Sequence, residues 1–146
     1  MRAKLLNDAP ERTFALILDS GDEVISALEA FANEHSLTAS RITAIGAFSS
    51  ATLGYFNWDS KEYERIEVDE QVEVLSLVGD IALHGPDAKL HIHVVLGRRD
   101  GSACGGHLLW AAVRPTLEVV LTDSPEYLKR EHDPASGLPL IRIGEP

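Results

Sequence analysis

Three histidines, at positions 91, 93 and 107, are the residues of this sequence best suited to chemistry. His91 and His93 are separated by one aliphatic residue, within a run that alternates apolar and polar side chains. Successive side chains of a β-strand point to opposite faces, so both imidazoles lie on one face and the aliphatic residues on the other. His107 follows a polar turn and precedes a second apolar run, so the third histidine returns towards the first two.

Whether His107 meets the first two histidines depends on the register of this hairpin. The turn contains Asp100-Gly101, a strong short-range signal for a hairpin. A simple two-residue turn would put His107 on the apolar side. A three-residue loop, or one bulge at the Gly-Gly pair that follows, places His107 directly opposite His93. We expect the second register because it keeps an imidazole out of the core.

Three neutral imidazoles on one face suit zinc, nickel, copper or Fe(II), with a coordination position left for water or a small anion. The sequence therefore predicts one transition metal ion per protomer, held by His91, His93 and His107, and zinc is the expected metal. The alternative is that these are half-exposed strand histidines without a metal. Cys104 lies in the same turn, where a thiolate ligand is conceivable, although a small packed thiol is the preferred interpretation.

The few clustered cations are candidates for holding an anion. Arg98 and Arg99 lie in the histidine hairpin, and Arg130 follows Lys129 later in the chain. They could bind an anion near the metal or form a small basic patch. The alternative is that they are solvated residues of a turn and a helix.

The composition is that of an ordinary globular protein, with 146 residues, 45% of them hydrophobic and 25% charged, which predicts one domain over residues 1–146. The single cysteine fits a reducing compartment. We find no pattern of a signal peptide or a membrane-spanning run, and expect a cytoplasmic protein without a membrane partner. The net charge of −10, from 23 acidic and 13 basic residues, disfavours binding to DNA.

The remaining patterns predict an α+β domain. Residues 14–18 form an apolar strand, and Ser20 with Glu23 forms a plausible capping box for a helix that continues to about His35. Further strands are predicted from residue 41 to residue 121 and at 138–143, with one or two helical turns at 125–132. The result is a largely antiparallel central sheet of about seven or eight strands with one main helix.

The order and spacing of several motifs resemble the PPC domain, the "plants and prokaryotes conserved" domain, over nearly the whole chain. The motifs are E-V-L-S-L-V-G-D at residues 73–80, H-I-H at 91–93, D-G-S-A-C-G-G-H-L at 100–108, T-L-E-V-V-L at 116–121 and R-E-H-D-P-A-S-G-L at 130–138. The resemblance implies a homotrimer built on a mostly antiparallel sheet.

In plants this domain follows AT-hook segments of nuclear DNA-binding proteins and mediates self-association, and stand-alone bacterial members are labelled candidate DNA-binding proteins by analogy. This chain departs from the plant pattern because it has no Arg-Gly-Arg-Pro type hook and carries histidines that the plant domains lack. The histidines resemble a cluster of the prokaryotic members, whose motif positions fall on His91, His93 and His107.

Three functions follow as hypotheses. The first is a homotrimeric binding module with a metal, and a small anion or metabolite, at the histidines. The second is a DNA-binding or DNA-associated regulatory protein, and the third is a metal-dependent hydrolase-type enzyme. The enzyme hypothesis is the weaker one, because Glu73, Asp100 or Glu118 could act as a general base only if folding brought one of them to the histidines. Nucleophile-elbow, phosphate-loop and dinucleotide fingerprints are absent from the sequence.

Overall fold

A computed structural model describes residues 1–8 and 10–143 of the chain. The described residues form one helix and nine strands. In chain order these elements are β1 (Arg2–Asp8), β2 (Arg12–Asp19), α1 (Val24–Glu34), β3 (Ala39–Asn57), β4 (Glu62–Val68), β5 (Val72–His84), β6 (Asp87–Gly97), β7 (Ala103–Asp123), β8 (Lys129–His132) and β9 (Pro139–Arg142).

All nine strands belong to one sheet, and every pairing is antiparallel except that of β5 with β8. The order along the sheet is β1-β2-β7-β3-β5-β8-β9, with β4 on β3 and β6 between β5 and β7. Strands β3, β5, β6 and β7 therefore close a cycle of pairings. The predicted α+β class with a largely antiparallel sheet and one main helix is confirmed, with nine strands in place of seven or eight.

Helix α1 begins at Glu23 rather than at the predicted Ser20. The Glu23 carboxylate accepts hydrogen bonds from the backbone N–H groups of Ile25 and Ser26, and so satisfies donors that the first turn leaves free. The Ser20 hydroxyl instead donates to the Pro115 carbonyl oxygen at 3.0 Å. The helix buries four side chains against the sheet: Val24, Leu28, Phe31 and Ala32.

The two faces of the central strands differ in what covers them. One face carries the buried core. The core includes Leu77 and Val94, which pair with each other on β5 and β6, and the apolar side chains of α1. The opposite face is not covered by a described helix. It exposes a set of aliphatic side chains from four strands, here called the apolar face: Ile45, Leu75, Val78, Val95 and Val120.

A second local prediction was also wrong, and one strand was missed. Residues 125–132 do not form helical turns, because 129–132 pair as strand β8 with β5 and β9. Strand β1 was not predicted, and it pairs along β2 at the edge of the sheet. Within the described residues, no helix is long and apolar enough to cross a membrane.

Candidate metal centre

The hairpin of β6 and β7 brings the three histidines together. His93 on β6 pairs directly with His107 on β7, so the predicted register is confirmed. The loop contains three residues, because the N–H of Arg98 donates to the Ser102 carbonyl at 2.8 Å and closes the last pair. Gly101 adopts φ +83°, the left-handed conformation that such a loop requires at its third position.

The Gly-Gly pair has a different role from the predicted bulge. Gly105 and Gly106 lie inside the regular ladder, opposite Val95 and Val94. A Cβ atom on Gly105 would lie 2.7 Å from the Val94 carbonyl oxygen, and one on Gly106 would lie 2.9 Å from the Gly54 carbonyl oxygen. The glycines therefore permit a close backbone approach next to His107.

The imidazoles converge on a small volume. One nitrogen from each of His91, His93 and His107 lies within 4.8 Å of the other two. The Nε2 atoms of His91 and His93 are 3.2 Å apart, and the three ring centroids are separated by 5.0 to 5.4 Å. This is the one group of potential metal ligands found among the described residues.

The environment keeps at least two of these imidazoles neutral. Burial, together with the neighbouring histidines and Arg130, lowers the pKa of His107 to about 4. Burial, and then the Arg130 guanidinium, also lowers the pKa of His91. Neutral imidazoles have free lone pairs, as metal binding requires. The Nδ1 atom of His107 is buried without a hydrogen-bond partner. Buried polar atoms normally have a partner, so the three imidazoles fit a bound cation better than they fit a closed network of hydrogen bonds.

Asp80 and Arg130 form a second layer behind His91. The Asp80 carboxylate lies 3.9 Å from Nδ1 of His91, which is beyond hydrogen-bond range, and its other oxygen accepts a hydrogen bond from the Arg130 guanidinium. A carboxylate behind a ligating histidine favours the metal-bound form of the ring. Sequence reasoning missed Asp80, although it shares a strand face with Val78 and stands beside His91 in the ladder.

Tyr63 on β4 covers the other side of the cluster. Its ring stacks on His107, with 4.6 Å between centroids and 22° between the planes. A Cβ atom on Gly54, next to Tyr63, would lie 2.7 Å from the tyrosine ring, so glycine leaves room for this stacking. Burial raises the pKa of the Tyr63 hydroxyl. The strand containing Tyr63 falls within the predicted range 41–121, but the sequence did not predict this contact.

A cavity of about 240 Å³ opens beside the histidines. Its polar side includes His91, His107 and Arg130, and it adjoins an apolar side formed by Leu90 and residues 138–140. The full lining consists of Tyr63, His84, Lys89, Leu90, His91, His107, Arg130, Leu138, Pro139 and Leu140.

Of the three arginines predicted to hold an anion, the structure places only Arg130 at this cavity. Arg98 and Arg99 lie at the tip of the hairpin, where the Arg98 guanidinium is 3.5 Å from a Glu70 carboxylate oxygen. Lys129 pairs with β5 at the other end of the same strands. The pair Arg98 and Arg99 and the pair Lys129 and Arg130 lie towards opposite ends of β6. The nine residues of β6 between them span about 30 Å at the rise of a strand, so the two pairs form no common patch within one chain.

The candidate general bases lie elsewhere. Glu73 pairs with Gly97 near the hairpin tip, and Asp100 accepts a hydrogen bond from the Ser102 hydroxyl within the loop. Glu118 lies opposite Ile45 and borders the groove of the apolar face. Residue 104, the single cysteine, packs partly buried against the core. It is therefore a packed thiol in this fold.

Solved structures of similar chains share this fold. A metal-containing protein from Archaeoglobus fulgidus is 36% identical, with a TM-score of 0.84 over 97% of both chains. A plant- and prokaryote-conserved protein from Pyrococcus horikoshii is 28% identical, with a TM-score of 0.86 over 92% of this chain and 93% of that one. A candidate DNA-binding protein from Bacteroides thetaiotaomicron is 31% identical, with a TM-score of 0.86 over 96% of both chains. No curated protein matches the sequence.

The family follows from sequence and fold together. Residues 6–125 match the family model of the Plants and Prokaryotes Conserved domain, written PCC or PPC, and these residues include all three histidines. The chain therefore belongs to the Plants and Prokaryotes Conserved domain family.

Proposed function

We propose that this protein is a metal-dependent binding module that holds one transition metal ion per chain, zinc in preference to others. The observation that carries the proposal is the convergence of His91, His93 and His107, one nitrogen of each within 4.8 Å of the other two. Three imidazole ligands match zinc in number and chemistry, and leave one position open. The relative from Archaeoglobus fulgidus, described as metal-containing, supports the same proposal.

Each residue around this site has a separate role. His91, His93 and His107 would hold the ion, while Asp80 places a negative charge beside His91 and Tyr63 restricts the ring of His107. A bound zinc ion supplies a Lewis-acidic position that attracts water or a small anion. We favour binding over catalysis because Asp80, the carboxylate beside the histidines, already accepts a hydrogen bond from Arg130.

Calorimetric titration of chelator-treated protein with zinc tests this proposal. We expect one zinc ion per chain for the natural sequence and no specific uptake by a His91→Ala/His93→Ala double variant. His132→Asn is the matched control, because His132 is an exposed histidine of β8 that does not line the cavity. Equal, substoichiometric uptake by the natural protein and the double variant would mean that the site does not exist.

We also propose that the module is a homotrimer whose subunits meet through the apolar face. The aliphatic side chains of this face are contiguous, since Ile45, Leu75, Val78 and Val120 border one groove and Val78 and Val95 border the next. Exposed apolar patches of this kind mark association surfaces, and a second copy of the chain offers the same chemistry. The family resemblance supports three subunits rather than two.

Light scattering at micromolar concentration tests the assembly. We expect three times the 15.9 kDa mass of one chain. A mass equal to that of a single chain would contradict the trimer and leave the metal site to be judged separately.

DNA binding is the second candidate, since two relatives, from Bacteroides thetaiotaomicron and Ralstonia eutropha, are described as candidate DNA-binding proteins. Against it, the net charge of −10 repels phosphate, and Arg130 is buried. We expect no strong binding to AT-rich or mixed duplexes in an anisotropy titration at about 150 mM salt, where exposed charges are screened beyond about 8 Å. Sub-micromolar, sequence-dependent binding would make the DNA hypothesis the better one.

A further inference from the structure

Arg130 carries an unused hydrogen-bond donor at the cavity. Its side chain is only 6% exposed, although it carries a full charge. One terminal nitrogen donates to Asp80 and the other reaches the Pro139 carbonyl oxygen at 3.5 Å, but Nε has no partner. A buried donor without an acceptor is costly and rare, so an acceptor supplied by a ligand would relieve it.

The chemistry of the cavity changes from one side to the other. The imidazoles of His91 and His107 and the Arg130 guanidinium form a polar side. Leu90 and the segment 138–140, with the sequence Leu-Pro-Leu, form an apolar side. The volume of about 240 Å³ is enough for a small organic molecule.

The charges around the cavity determine which charge a bound molecule should carry. Arg130 is paired with Asp80, and Lys89 is paired with Glu29 at 3.2 Å, so the fixed charges of the lining are compensated. A divalent metal at the histidines would add an excess of positive charge, which a monoanion partly offsets. A phosphate dianion has more oxygens to satisfy than a carboxylate, and the leucine and proline side chains of the apolar side offer no donors for them.

We infer that this cavity binds a small organic monocarboxylate, with the carboxylate between the histidine cluster and the Arg130 guanidinium and a short apolar tail against residues 138–140. The inference rests on the proposed metal site and adds the class of ligand. The free donor fixes the carboxylate end, and the apolar side provides binding energy that depends on the length of the tail.

Calorimetric titration of zinc-loaded protein with acetate, butanoate, hexanoate and inorganic phosphate tests the inference. Each methylene buried against the apolar side should strengthen binding by about fourfold, so that hexanoate binds more tightly than butanoate and butanoate more tightly than acetate. Phosphate should bind more weakly than hexanoate. Equal binding of all three carboxylates, or tighter binding of phosphate, would overturn the inference.

Two variants locate the site. Leu140→Glu places a like charge at the apolar side on a partly exposed residue and should weaken hexanoate binding at least tenfold, whereas the matched control Ile143→Glu, at an exposed residue outside the cavity, should not. Arg130→Lys should weaken acetate and hexanoate alike, because it removes the Nε donor. Unchanged binding in Leu140→Glu would overturn the inference even if Arg130→Lys fails to fold.

The outcomes separate the two proposals. Normal zinc uptake without carboxylate binding would overturn this inference and leave the metal site intact. Failure of the natural protein to take up zinc would overturn both.

Discussion

His93 and His107 stand directly opposite each other on β6 and β7, with 5.4 Å between their ring centroids. This pairing turns two histidines on one strand into a cluster of three. It exists because the hairpin loop contains three residues and not two, so the register of the whole site depends on a turn about five residues away from His93.

The conformation of Gly101 should therefore affect both stability and the metal site. Gly101→Val forces a β-branched residue into φ +83° and should cost about 1–3 kcal/mol of unfolding free energy, together with a loss of zinc occupancy. Arg99→Val places the same side chain in the same loop at a residue without a positive φ, and serves as the control. Urea unfolding and calorimetry measure the two effects, and equal stability of the two variants would show that the loop does not fix the register.

Asp80 should strengthen metal binding although it does not touch the metal. Asp80→Asn removes the charge behind His91 and leaves the buried Arg130 cation uncompensated, so we expect zinc affinity to fall by about 10- to 100-fold. Asp87→Asn removes an exposed carboxylate at the first residue of β6, and should leave the affinity unchanged. Similar affinities for the two variants, measured by competition with a chelator, would remove Asp80 from the site.

The stability of the metal-free protein should fall as the pH drops from 6.5 towards 4. The folded state holds the pKa of His107 at about 4 and also lowers that of His91, whereas the unfolded chain protonates both near the ordinary value of 6.5. In this window the unfolded state binds more protons, so acid favours unfolding. Asp22, Asp100 and Asp133, whose pKa values are also lowered, titrate below this window. The hydrogen bond with Thr52 lowers the pKa of Glu67 from its ordinary value of 4.5, so this carboxylate adds to the loss of stability in the same direction at the acid end of the window.

His107→Phe isolates this effect, because phenylalanine keeps an aromatic ring against Tyr63 but cannot take up a proton. Its stability, measured by urea unfolding in the presence of a chelator, should depend less steeply on pH between 6.5 and 4 than that of the natural protein. Identical pH dependence would mean that His107 is not protected from protonation in the folded state.

Val120→Asp should dissociate the proposed trimer, because it places a charge on the apolar face, where a partner would otherwise exclude water. The expected result is a shift of the scattering mass from three chains to one. Tyr127→Asp makes a similar change at an exposed residue away from this face and should leave the trimer intact. An unchanged mass for Val120→Asp would mean that association uses another surface.

The strands that carry the three histidines could be predicted from local sequence patterns. The residues that surround these histidines, Asp80 and Tyr63, could not. Alternation placed His91 and His93 on one face, and the need to keep His107 out of the core selected the right register. Tyr63 reaches His107 only through the pairing of β3 with β7, which are distant in sequence. Asp80 lies opposite His91 in the β5–β6 hairpin, and its contact with the histidine depends on the register of that hairpin. Nothing in the local sequence around either residue reports such a contact.

Two further errors have the same origin. The polar segment at 125–132 resembles a helix in composition, but Lys129 pairs with Leu83 and Arg130 is held by Asp80, so tertiary contacts impose a strand. At α1, Ser20 has the residue type preferred for a helix cap, yet Glu23 takes that role. Its carboxylate can also reach the N–H of Ala111 on β7, at 3.4 Å.

The central claim is that one metal ion lies among the three histidines. Crystals of zinc-supplemented protein, measured on both sides of the zinc absorption edge, test it most directly. The account predicts one anomalous difference peak per chain, within bonding distance of one nitrogen from each of His91, His93 and His107, and about 2.0–2.1 Å from each. Well-diffracting crystals with no peak at these residues, or with peaks only at other sites, would contradict it.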